Sequence, residues 1–353
     1  MNKPRVVESP VPPSDLLSTG STMLDLAMTG RVRGGLVKGH YYFFVGDSSS
    51  GKTWLSLSCF AEAARSKNFE GYRLIYDNGE DGAMMNMRHY FGDAMADRLE
   101  PPRGTREDPQ YSSSIEDMYD NLHTVLAPGA PPCIYVQDSM DVLTSEPETE
   151  KYEEQRKARA KGKDTKGSYG DGKAKYNSAS LRQILPMLKR NKSILVILCQ
   201  TRDNIGQGPF TFEKKTRSGG RALRFYATVE IWTSVAEKIR KTVRGKPRVI
   251  GMVAEVKVKK NRTTGRDVAV KIPIYLSHGI DDIGGCVDYL IEEGHWKGEK
   301  SINAPEFNFT GQASKLIRHI EDEGLERELK LLVQRVWREI EEECTVQRKR
   351  RYE

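Results

Sequence analysis

The sequence predicts an α/β fold in which a mainly parallel sheet is flanked by helices on both faces. Three apolar runs predict buried strands, at 73–77, 132–138 and 193–200. Helical patterns lie between them, at 112–126 and 178–191. Alternation of strands and helices along a chain is typical of a parallel sheet whose two faces are both covered.

A glycine-rich loop at 46–53 is the clearest functional motif of the sequence. It follows the apolar run 41–45, which predicts a further strand, and it precedes a helical pattern that begins near Trp54. The pattern G-x-x-x-x-G-K-[ST] in this context predicts a phosphate-binding loop, because its glycines let backbone N–H groups cradle phosphate oxygens. A Gly/Ser-rich surface turn is the alternative interpretation. The predicted nucleotide-binding residues are Gly46, Asp47, Ser48, Ser49, Ser50, Gly51, Lys52 and Thr53.

Within this loop, two side chains have specific predicted roles. Lys52 is expected to reach the β- and γ-phosphates, and the hydroxyl of Thr53 is expected to help hold Mg²⁺. A second Mg²⁺ contact, through water, is predicted for Asp138, which ends the apolar strand at 132–138. A strand-end aspartate that only caps a turn is the alternative interpretation of Asp138.

Two further polar residues follow predicted strands and suit phosphoryl transfer. Glu80 lies just past the strand that ends at Asp77, and we expect it to orient the attacking water, although Asp77 and Asp81 compete for that role. Gln200 ends the strand at 193–200, where its amide could sense the γ-phosphate and signal to the loop that follows.

Charge and cysteine usage narrow the class of protein. The 353 residues carry a formal net charge of +7, which favours polyanionic partners, although basicity can also serve solubility alone. The five cysteines are scattered without a C-x-x-C pair, which fits a reducing cytoplasm and argues against a zinc site. The sequence opens with polar, Pro-rich residues and has no apolar run of about 18 residues, so neither a signal peptide nor a transmembrane helix is expected.

Composition predicts three regions along the chain. They are an extended arm at 1–17, a nucleotide-binding core at 18–300, and a small helical region with a basic run at 301–353. Within the core, 146–176 is a charge-dense insertion and 103–111 is interpreted as a polar loop. The core therefore accounts for most of the chain.

Shorter elements complete the prediction. Helices are expected at 18–27 and 83–91, and an amphipathic helix at 325–343 precedes a basic run at 348–351. After Gly220 the sequence alternates between polar and apolar residues around turn signals, which predicts strands. These strands are expected at 228–234, 249–258 and 268–275.

The segment 201–220 combines basic, aromatic and glycine residues in what the sequence predicts to be a long, structureless loop. Such loops are usually functional or disordered. Cations that contact phosphates and rings that contact bases suit a single-stranded nucleic acid, whereas a disordered, solvated loop is the alternative. The predicted DNA-binding residues here are Arg202, Phe210, Lys214, Lys215, Arg217, Gly219 and Gly220.

Several motifs together resemble the RecA-type DNA recombinases, with a bacteriophage member expected, over roughly residues 17–300. The run at 219–228 is closer to RecA than to archaeal and eukaryotic recombinases or to hexameric helicases. The matching segments are Ser18-Thr19-Gly20-Ser21 with Leu24-Asp25, Gly34-Gly35-Leu36, Ser49-Ser50-Gly51-Lys52-Thr53, Val136-Gln137-Asp138-Ser139, Gln200 with Ile205-Gly206, Gly219-Gly220-Arg221-Ala222-Leu223-Arg224-Phe225-Tyr226-Ala227-Thr228, Val256-Lys257-Val258-Lys259-Lys260-Asn261-Arg262 and Gly279-Ile280.

The resemblance implies a RecA-like ATPase core with a β-hairpin extension, and roles for individual residues. Glu80 matches the catalytic glutamate, and Gln200 matches the glutamine that links ATP to the DNA loop. Lys260 and Arg262 match two cations that reach the γ-phosphate of the neighbouring subunit, so that hydrolysis depends on assembly. The family's DNA-contacting cations of the first loop correspond to Lys175 and Arg182, and its interface aromatic corresponds to Phe225.

The implied activity is DNA-dependent ATP hydrolysis with ATP and Mg²⁺, coupled to homologous pairing and strand exchange. The implied partners are single-stranded DNA, homologous duplex DNA and further copies of the chain in a helical filament rather than a ring. Loading or single-strand-binding proteins would be further partners, no membrane is involved, and the cytoplasm of a bacterium or phage-infected cell is the expected location. A RecA-fold motor that hydrolyses ATP on DNA without exchange, and a non-enzymatic scaffold, are the alternatives.

Three features depart from the family pattern. The arm at 1–17 is all that stands in place of the family's N-terminal helix-and-strand module, which docks on the next subunit. The charged insertion before Lys173 is unusual and could add DNA affinity or enlarge a solvated loop. Met87 occupies the position of an adenine-stacking tyrosine.

Overall fold

The fold is described by a computed structural model for residues 11–80, 85–161, 172–203, 215–217, 220–298, 301–346 and 348. Of these, residues 172, 202, 203 and 215–217 are described by their backbone alone. The strands are β1 (Leu16–Leu17), β2 (Leu36–Val37), β3 (Tyr41–Gly46), β4 (Arg73–Asp77), β5 (Leu99–Glu100), β6 (Arg103–Gly104), β7 (Pro109–Gln110), β8 (Cys133–Gln137), β9 (Ile194–Asp203), β10 (Lys215–Arg217), β11 (Val229–Val243), β12 (Lys246–Asn261), β13 (Val268–Tyr275), β14 (Gly279–Ile280), β15 (Ile302–Ala304) and β16 (Phe309–Gly311). The helices are α1 (Thr22–Thr29), α2 (Lys52–Arg65), α3 (Met87–Phe91), α4 (Asp93–Ala96), α5 (Ile115–Val125), α6 (Glu146–Ala160), α7 (Gly172–Asn191), α8 (Gly220–Tyr226), α9 (Asp282–Glu292), α10 (Ala313–Asp322) and α11 (Glu326–Glu343).

A ten-stranded sheet forms the centre of the described part of the chain. Its strand order is β14-β13-β12-β11-β3-β9-β8-β4-β5, and β10 pairs with the outer part of β9. The strands β11, β3, β9, β8, β4 and β5 are mutually parallel, whereas β12, β13 and β14 continue the sheet in antiparallel fashion. The predicted α/β fold with a mainly parallel sheet is therefore confirmed.

The two faces of this sheet bury separate hydrophobic clusters. Along β3, Tyr42 and Phe44 point into a cluster shared with α1, α2, α9 and α11, whereas Tyr41, Phe43 and Val45 point into one shared with α5 and α7. All five side chains are 0% exposed, because β3 lies in the middle of the sheet with helices on both faces. An unbroken apolar run is the sequence that such a strand requires.

The strands predicted at 41–45, 73–77, 132–138 and 268–275 agree closely with β3, β4, β8 and β13. The first helix, however, does not begin where it was expected. The helix predicted at 18–27 begins at Thr22. Ser18 and Thr19 instead donate hydrogen bonds from their hydroxyl groups to the carboxylate of Asp25, at 2.6 and 2.8 Å. Gly20 has a φ of 84°, so the backbone turns before the helix starts.

The segment 201–220 is not structureless where it is described. β9 continues to Asp203, and β10 pairs with it in antiparallel register, with Thr216 opposite Arg202. This pairing satisfies backbone groups that a free loop would leave to water. The residues 204–214 and 218–219 lie outside the described part of the chain.

Three other regions contain more structure than the sequence predicts. The polar stretch 103–111 contains the small hairpin of β6 and β7, and the charged insertion at 146–176 contains α6 and the start of α7. The extended arm at 1–17 ends in β1, whose two leucines are buried and pair with β2. Polar composition alone did not reveal these elements, since hairpins and surface helices need few apolar residues.

The β-hairpin of β11 and β12 extends farther than predicted. Its strands have 15 and 16 residues, and residues 240–249 are exposed throughout. The outer part of this hairpin buries neither face, so it lacks the alternation that marks a half-buried strand. Backbone pairing, rather than packing of side chains, holds it together.

Two further observations concern the cysteines and the lengths of the helices. Cys59, Cys133, Cys199 and Cys286 are buried, whereas Cys344 is exposed. Across the described ranges, none of the helices combines the length and apolar character that crossing a membrane would need.

Candidate nucleotide-binding site

The phosphate loop connects β3 to α2 at the carboxyl edge of the parallel strands. A Cβ atom on Gly46 would lie 1.9 Å from the hydroxyl of Thr233, and Gly51 has a φ of 95°. Glycine is therefore required at both ends of the loop. At Gly46 a side chain would collide with Thr233, and at Gly51 the backbone has a conformation that other residues rarely adopt. The loop ends where the first free N–H groups of α2 are exposed to an anion.

Side chains from two neighbouring strands hold this loop in shape. The hydroxyl of Ser50 donates to the carbonyl of Asp47 at 2.7 Å and lies 2.6 Å from the hydroxyl of Thr233, on β11. The carboxylate of Asp47 accepts a hydrogen bond from the hydroxyl of Thr201, on β9. The loop is thus anchored on both sides of β3.

Lys52 is folded into the loop that it follows. Its Nζ donates to the carbonyls of Gly46 and Asp47, at 3.0 and 2.7 Å, and the residue is 7% exposed. Burial lowers the pKa of Lys52, and the nearby carboxylates of Asp138 and Glu80 oppose that effect. The ammonium group therefore lies inside the loop, close to two acids.

Thr53 and Asp138 form an oxygen-rich cluster next to Lys52. The hydroxyl of Thr53 donates to Oδ2 of Asp138 at 2.9 Å, and the hydroxyl of Tyr76 donates to the same oxygen at 2.8 Å. Burial raises the pKa of Asp138, whereas these two hydrogen bonds favour its charged form. A hydroxyl and a carboxylate in contact fit Mg²⁺, which prefers a small number of protein oxygen ligands together with phosphate oxygens.

Glu80 and Gln200 meet beside this cluster. The backbone N–H of Glu80 donates to the carbonyl of Asp138 at 3.1 Å. Oε1 of Glu80 accepts hydrogen bonds from the hydroxyl of Ser139 and from Nε2 of Gln200, the latter at 3.0 Å. The backbone N–H of Gln200 donates a hydrogen bond to the carboxylate of Asp141 at 2.5 Å, which fixes the position of Gln200 in β9. The carboxylate of Glu80 thus contacts one residue just past β8 and one residue within β9.

Asp77, which competes with Glu80 on sequence grounds, is engaged elsewhere. It is 0% exposed, and its carboxylate accepts hydrogen bonds from the backbone and hydroxyl of Ser112 and from the hydroxyl of Tyr135. Burial raises its pKa. A carboxylate with both oxygens occupied in this way stabilises the strand ends, so it is poorly placed to contact water. Asp81 lies outside the described residues.

Lys260 and Arg262 lie at the opposite edge of the sheet. β11 runs parallel to β3 with Thr233 beside Gly46, and Lys260 is paired with Glu230. Since Glu230 precedes Thr233 by three residues, the backbone of Lys260 lies about 10 Å from the edge that carries the phosphate loop. Within one chain, three residues of β11 therefore separate Lys260 from the level of the loop, and five separate Arg262, whose N–H donates to the carbonyl of Thr228.

At this amino edge the cations are gathered around the end of α8. Lys260 Nζ donates to the carbonyls of Arg224 and Phe225, at 2.6 and 2.7 Å, and Arg262 donates to the carbonyl of Phe225 at 2.7 Å. Burial and the charge of Arg262 lower the pKa of Lys260 to about 8. The ring of Phe225 is 64% exposed, so an aromatic surface lies beside the two cations.

The predicted DNA-binding residues are only partly described. Lys175 and Arg182 are exposed on α7 and, seven residues apart, share one face of the helix. Gly220 begins α8, with a φ of 79° and a Cβ position only 2.6 Å from Ala174 of α7. The backbones of Arg202, Lys215 and Arg217 lie in the β9–β10 hairpin, and Phe210, Lys214 and Gly219 lie outside the described residues.

Several contributors to the site were not predicted. Ser139 and Thr201 immediately follow Asp138 and Gln200, so their positions next to functional residues were the available signal. Tyr76 carried no signal, because in the sequence it is one of many aromatic residues in an apolar run. Met87 begins α3 and packs partly against the core, as the sequence places it at a helix.

Comparison with known proteins shows that the sequence is similar to RecA proteins. The sequence model of the RecA N-terminal domain matches residues 155–281. Protein RecA of Chloroherpeton thalassium is 28% identical over 319 residues, which cover 89% of this chain and 76% of that protein. Protein RecA of Thermus thermophilus is 26% identical over 302 residues, which cover 82% of this chain and 75% of that protein.

Among solved structures, a RadB recombinase is 15% identical and has a TM-score of 0.47, over 76% of this chain and 99% of its own. The match to the RecA N-terminal domain includes the long hairpin of β11 and β12. By its sequence, this chain is a relative of the RecA-type DNA recombinases.

Proposed function

We propose that this protein is an ATP-dependent homologous recombination protein, which assembles on single-stranded DNA and promotes homologous pairing and strand exchange. The observation that carries this proposal is the hydrogen bond from Gln200 to Glu80. Gln200 directly precedes the predicted DNA loop at 201–220, whereas Glu80 lies beside Asp138 at the nucleotide site. One contact therefore connects the two sites, as a coupling between two ligands requires.

ATP would bind with its phosphates in the loop that precedes α2. Phosphate oxygens are stronger acceptors for an ammonium group than carbonyl oxygens are. Lys52 would therefore exchange its contacts with Gly46 and Asp47 for the β- and γ-phosphates. Thr53 and Asp138 would hold Mg²⁺, which offsets the charge of the phosphates when it is bound.

Hydrolysis would use Glu80 to orient the attacking water. A γ-phosphate near Gln200 offers its amide a new acceptor, so the hydrogen bond to Glu80 would be exchanged. That exchange would release Glu80 towards the water and move the end of β9. Because β9 pairs with β10, the movement would be passed to the predicted DNA loop.

The charge clamp on the γ-phosphate would be completed by a second chain. Lys260 and Arg262 are separated from their own phosphate loop by three and five residues of β11, and both donate to carbonyls at the end of α8. A head-to-tail assembly would place the amino edge of one sheet against the carboxyl edge of the next, and such interfaces generate helical filaments or rings. The exposed ring of Phe225 would then be buried between subunits.

DNA would be bound at the carboxyl edge, close to the nucleotide. The amino-terminal end of α7, with Lys175, and the β9–β10 hairpin both lie at this edge. Their cations would contact phosphates, and affinity should therefore fall steeply with salt.

The proposal is tested by three measurements on the purified protein. We expect ATP hydrolysis to rise when single-stranded DNA is added, homologous strands to be exchanged, and helical filaments to appear in negative-stain micrographs with a non-hydrolysable ATP analogue. DNA-stimulated hydrolysis in closed hexameric rings, without exchange, would identify a motor instead. A flat response of DNA affinity to salt would contradict the role of the basic residues.

A further inference from the structure

A groove of about 630 Å³ lies far from the nucleotide site, between α11, α9 and the outer face of β12 and β13. Its volume is in the range of ligand-binding cavities. Its floor is apolar and includes Val253, Val270, Pro273, Trp337 and Ile340. Nothing in the proposed function uses this groove.

The rim of the groove is strongly acidic. Seven carboxylates line it, at Glu237, Glu255, Asp267, Asp288, Glu292, Glu293 and Glu341. The lining has only two basic side chains, and both are already paired with rim acids: Lys271 lies 2.7 Å from Glu292, and Arg266 contacts Glu341. The groove is therefore negative in a protein whose net charge is +7.

These acids affect one another electrostatically. Burial and the charges of Asp281, Glu292 and Glu237 raise the pKa of Asp288 to about 6, and Lys271 opposes this effect only in part. A cation in the groove would relieve this repulsion, whereas a phosphate would increase it. Nucleic acid is thus excluded as an occupant, and a basic one is favoured.

The floor is apolar and includes an aromatic side chain. Trp337 lines it and is 7% exposed. An acidic rim around an apolar floor fits a basic peptide segment with apolar or aromatic content.

Such a segment follows directly from the rim. Cys344 and Thr345 line the groove, and the chain turns just after them, where the N–H of Arg348 donates to the carbonyl of Val346 at 2.9 Å. The sequence continues as Arg348-Lys349-Arg350-Arg351-Tyr352. Six extended residues span about 20 Å, and a tethered segment is present at an effective concentration in the millimolar range.

We propose that the acidic groove binds the basic segment 348–352 of its own chain. The cations of the segment would pair with the rim, and Tyr352 would lie on the apolar floor near Trp337. This inference does not rest on the proposed function, because none of these residues belongs to the nucleotide site.

Trypsin trimming of the full-length protein tests the proposal, because trypsin cleaves after Arg348, Lys349, Arg350 and Arg351. In the Asp288→Asn/Glu293→Gln variant, which removes two rim charges, we expect trimming to accelerate about tenfold, as the open form of the segment becomes more populated. The matched control, Glu321→Gln/Glu323→Gln, removes two exposed charges from the region of α10 and should be trimmed at the wild-type rate. Intact-mass spectrometry measures both rates.

Three outcomes would overturn the proposal. One is an equal trimming rate in the wild type and the rim variant. Another is protection that grows with protein concentration, which would mean that a second copy supplies the segment. The third is a control variant that is trimmed as fast as the rim variant. Circular dichroism establishes whether each variant is folded. If Asp288→Asn/Glu293→Gln is unfolded, Glu237→Gln/Glu293→Gln is used as the rim variant instead.

Discussion

The two edges of the central sheet carry different halves of the proposed site. At the carboxyl edge, Lys52, Thr53, Asp138, Glu80 and Gln200 are joined by hydrogen bonds into one cluster. At the amino edge, two cations donate to main-chain carbonyls beside an exposed aromatic ring. The first edge has the predicted phosphate loop, whereas the second has the two cations.

This difference gives a physical reason for hydrolysis that depends on assembly. Three residues of β11 separate the backbone of Lys260 from the level of the phosphate loop, and its ammonium group is bonded to the end of α8. If both edges act on one nucleotide, they belong to two chains. Each prediction below tests one edge or the connection between them.

The largest effect is expected for Lys52→Ala at the carboxyl edge. Loss of the only lysine inside the phosphate loop should lower the rate of ATP hydrolysis by about 10²–10³-fold, because charge on the phosphates is no longer offset. A coupled-enzyme ATPase assay with single-stranded DNA measures this rate. The exposed residue Lys67, changed to Ala, is the control and should retain wild-type activity. A Lys52→Ala protein with normal turnover would rule out the phosphate-loop assignment.

Lys260→Ala tests the amino edge. We expect DNA-stimulated hydrolysis to fall by about 10²-fold, in line with cations supplied by a neighbour. The decisive measurement mixes Lys260→Ala with Lys52→Ala chains. Because a head-to-tail interface uses a different edge from each chain, about a quarter of all interfaces in an equimolar mixture have both lysines, and part of the activity should return. If the mixture stays inactive, the two lysines act within one chain.

Gln200→Ala should break the connection between nucleotide and DNA. ATP affinity should change by less than about twofold, while stimulation of hydrolysis by single-stranded DNA should fall about tenfold, as a lost coupling of 1–3 kcal/mol implies. Fluorescent-nucleotide titration and ATPase assays with and without DNA separate the two effects. Ser139→Ala, which removes the other side-chain donor to Glu80, is the matched comparison. Equal loss of DNA stimulation in both variants would show that orientation of Glu80, rather than signalling, is what Gln200 provides.

The pH response should distinguish the edges as well. A lysine clamps an anion only when it is charged, so raising the pH through about 8, the pKa of Lys260, should weaken the neighbour's contribution. Assembly-dependent hydrolysis at low ATP should drop about fivefold from pH 8 to pH 9. The Lys260→Arg variant stays charged in this range and should show a flatter profile. A wild-type profile that matches that of Lys260→Arg would exclude titration of Lys260 as the cause.

The smallest effect is expected for Phe225→Ala. The ring is 64% exposed, so folding stability should hardly change, whereas loss of an interface aromatic should raise the protein concentration needed for assembly about fivefold. Light scattering against protein concentration measures the midpoint. Tyr152→Ala on α6, where the ring is 61% exposed, controls for loss of an exposed aromatic. An unchanged midpoint would place Phe225 outside the interface.

Local patterns predicted most of the central sheet. The strand β4 was predicted at its observed bounds, because a strand buried on both faces needs an apolar run that the sequence shows directly. The outer half of the hairpin and the pairing of β10 with β9 were missed. Backbone hydrogen bonds between strands hold those segments together. Such bonds do not require an alternation of polar and apolar side chains, so the sequence has no pattern that predicts them.

The candidate site also combines features that local sequence predicts with features that only the tertiary structure shows. The sequence by itself determined the phosphate loop, since the spacing of Gly46, Gly51, Lys52 and Thr53 is local and meets a steric and electrostatic requirement. Only the tertiary structure distinguished Asp77 from Glu80, because the carboxylate of Asp77 is engaged by Ser112 and Tyr135 whereas that of Glu80 accepts a hydrogen bond from Gln200. It also set Lys260 at the opposite edge, since strand direction and register in a sheet depend on pairing between residues far apart in the chain.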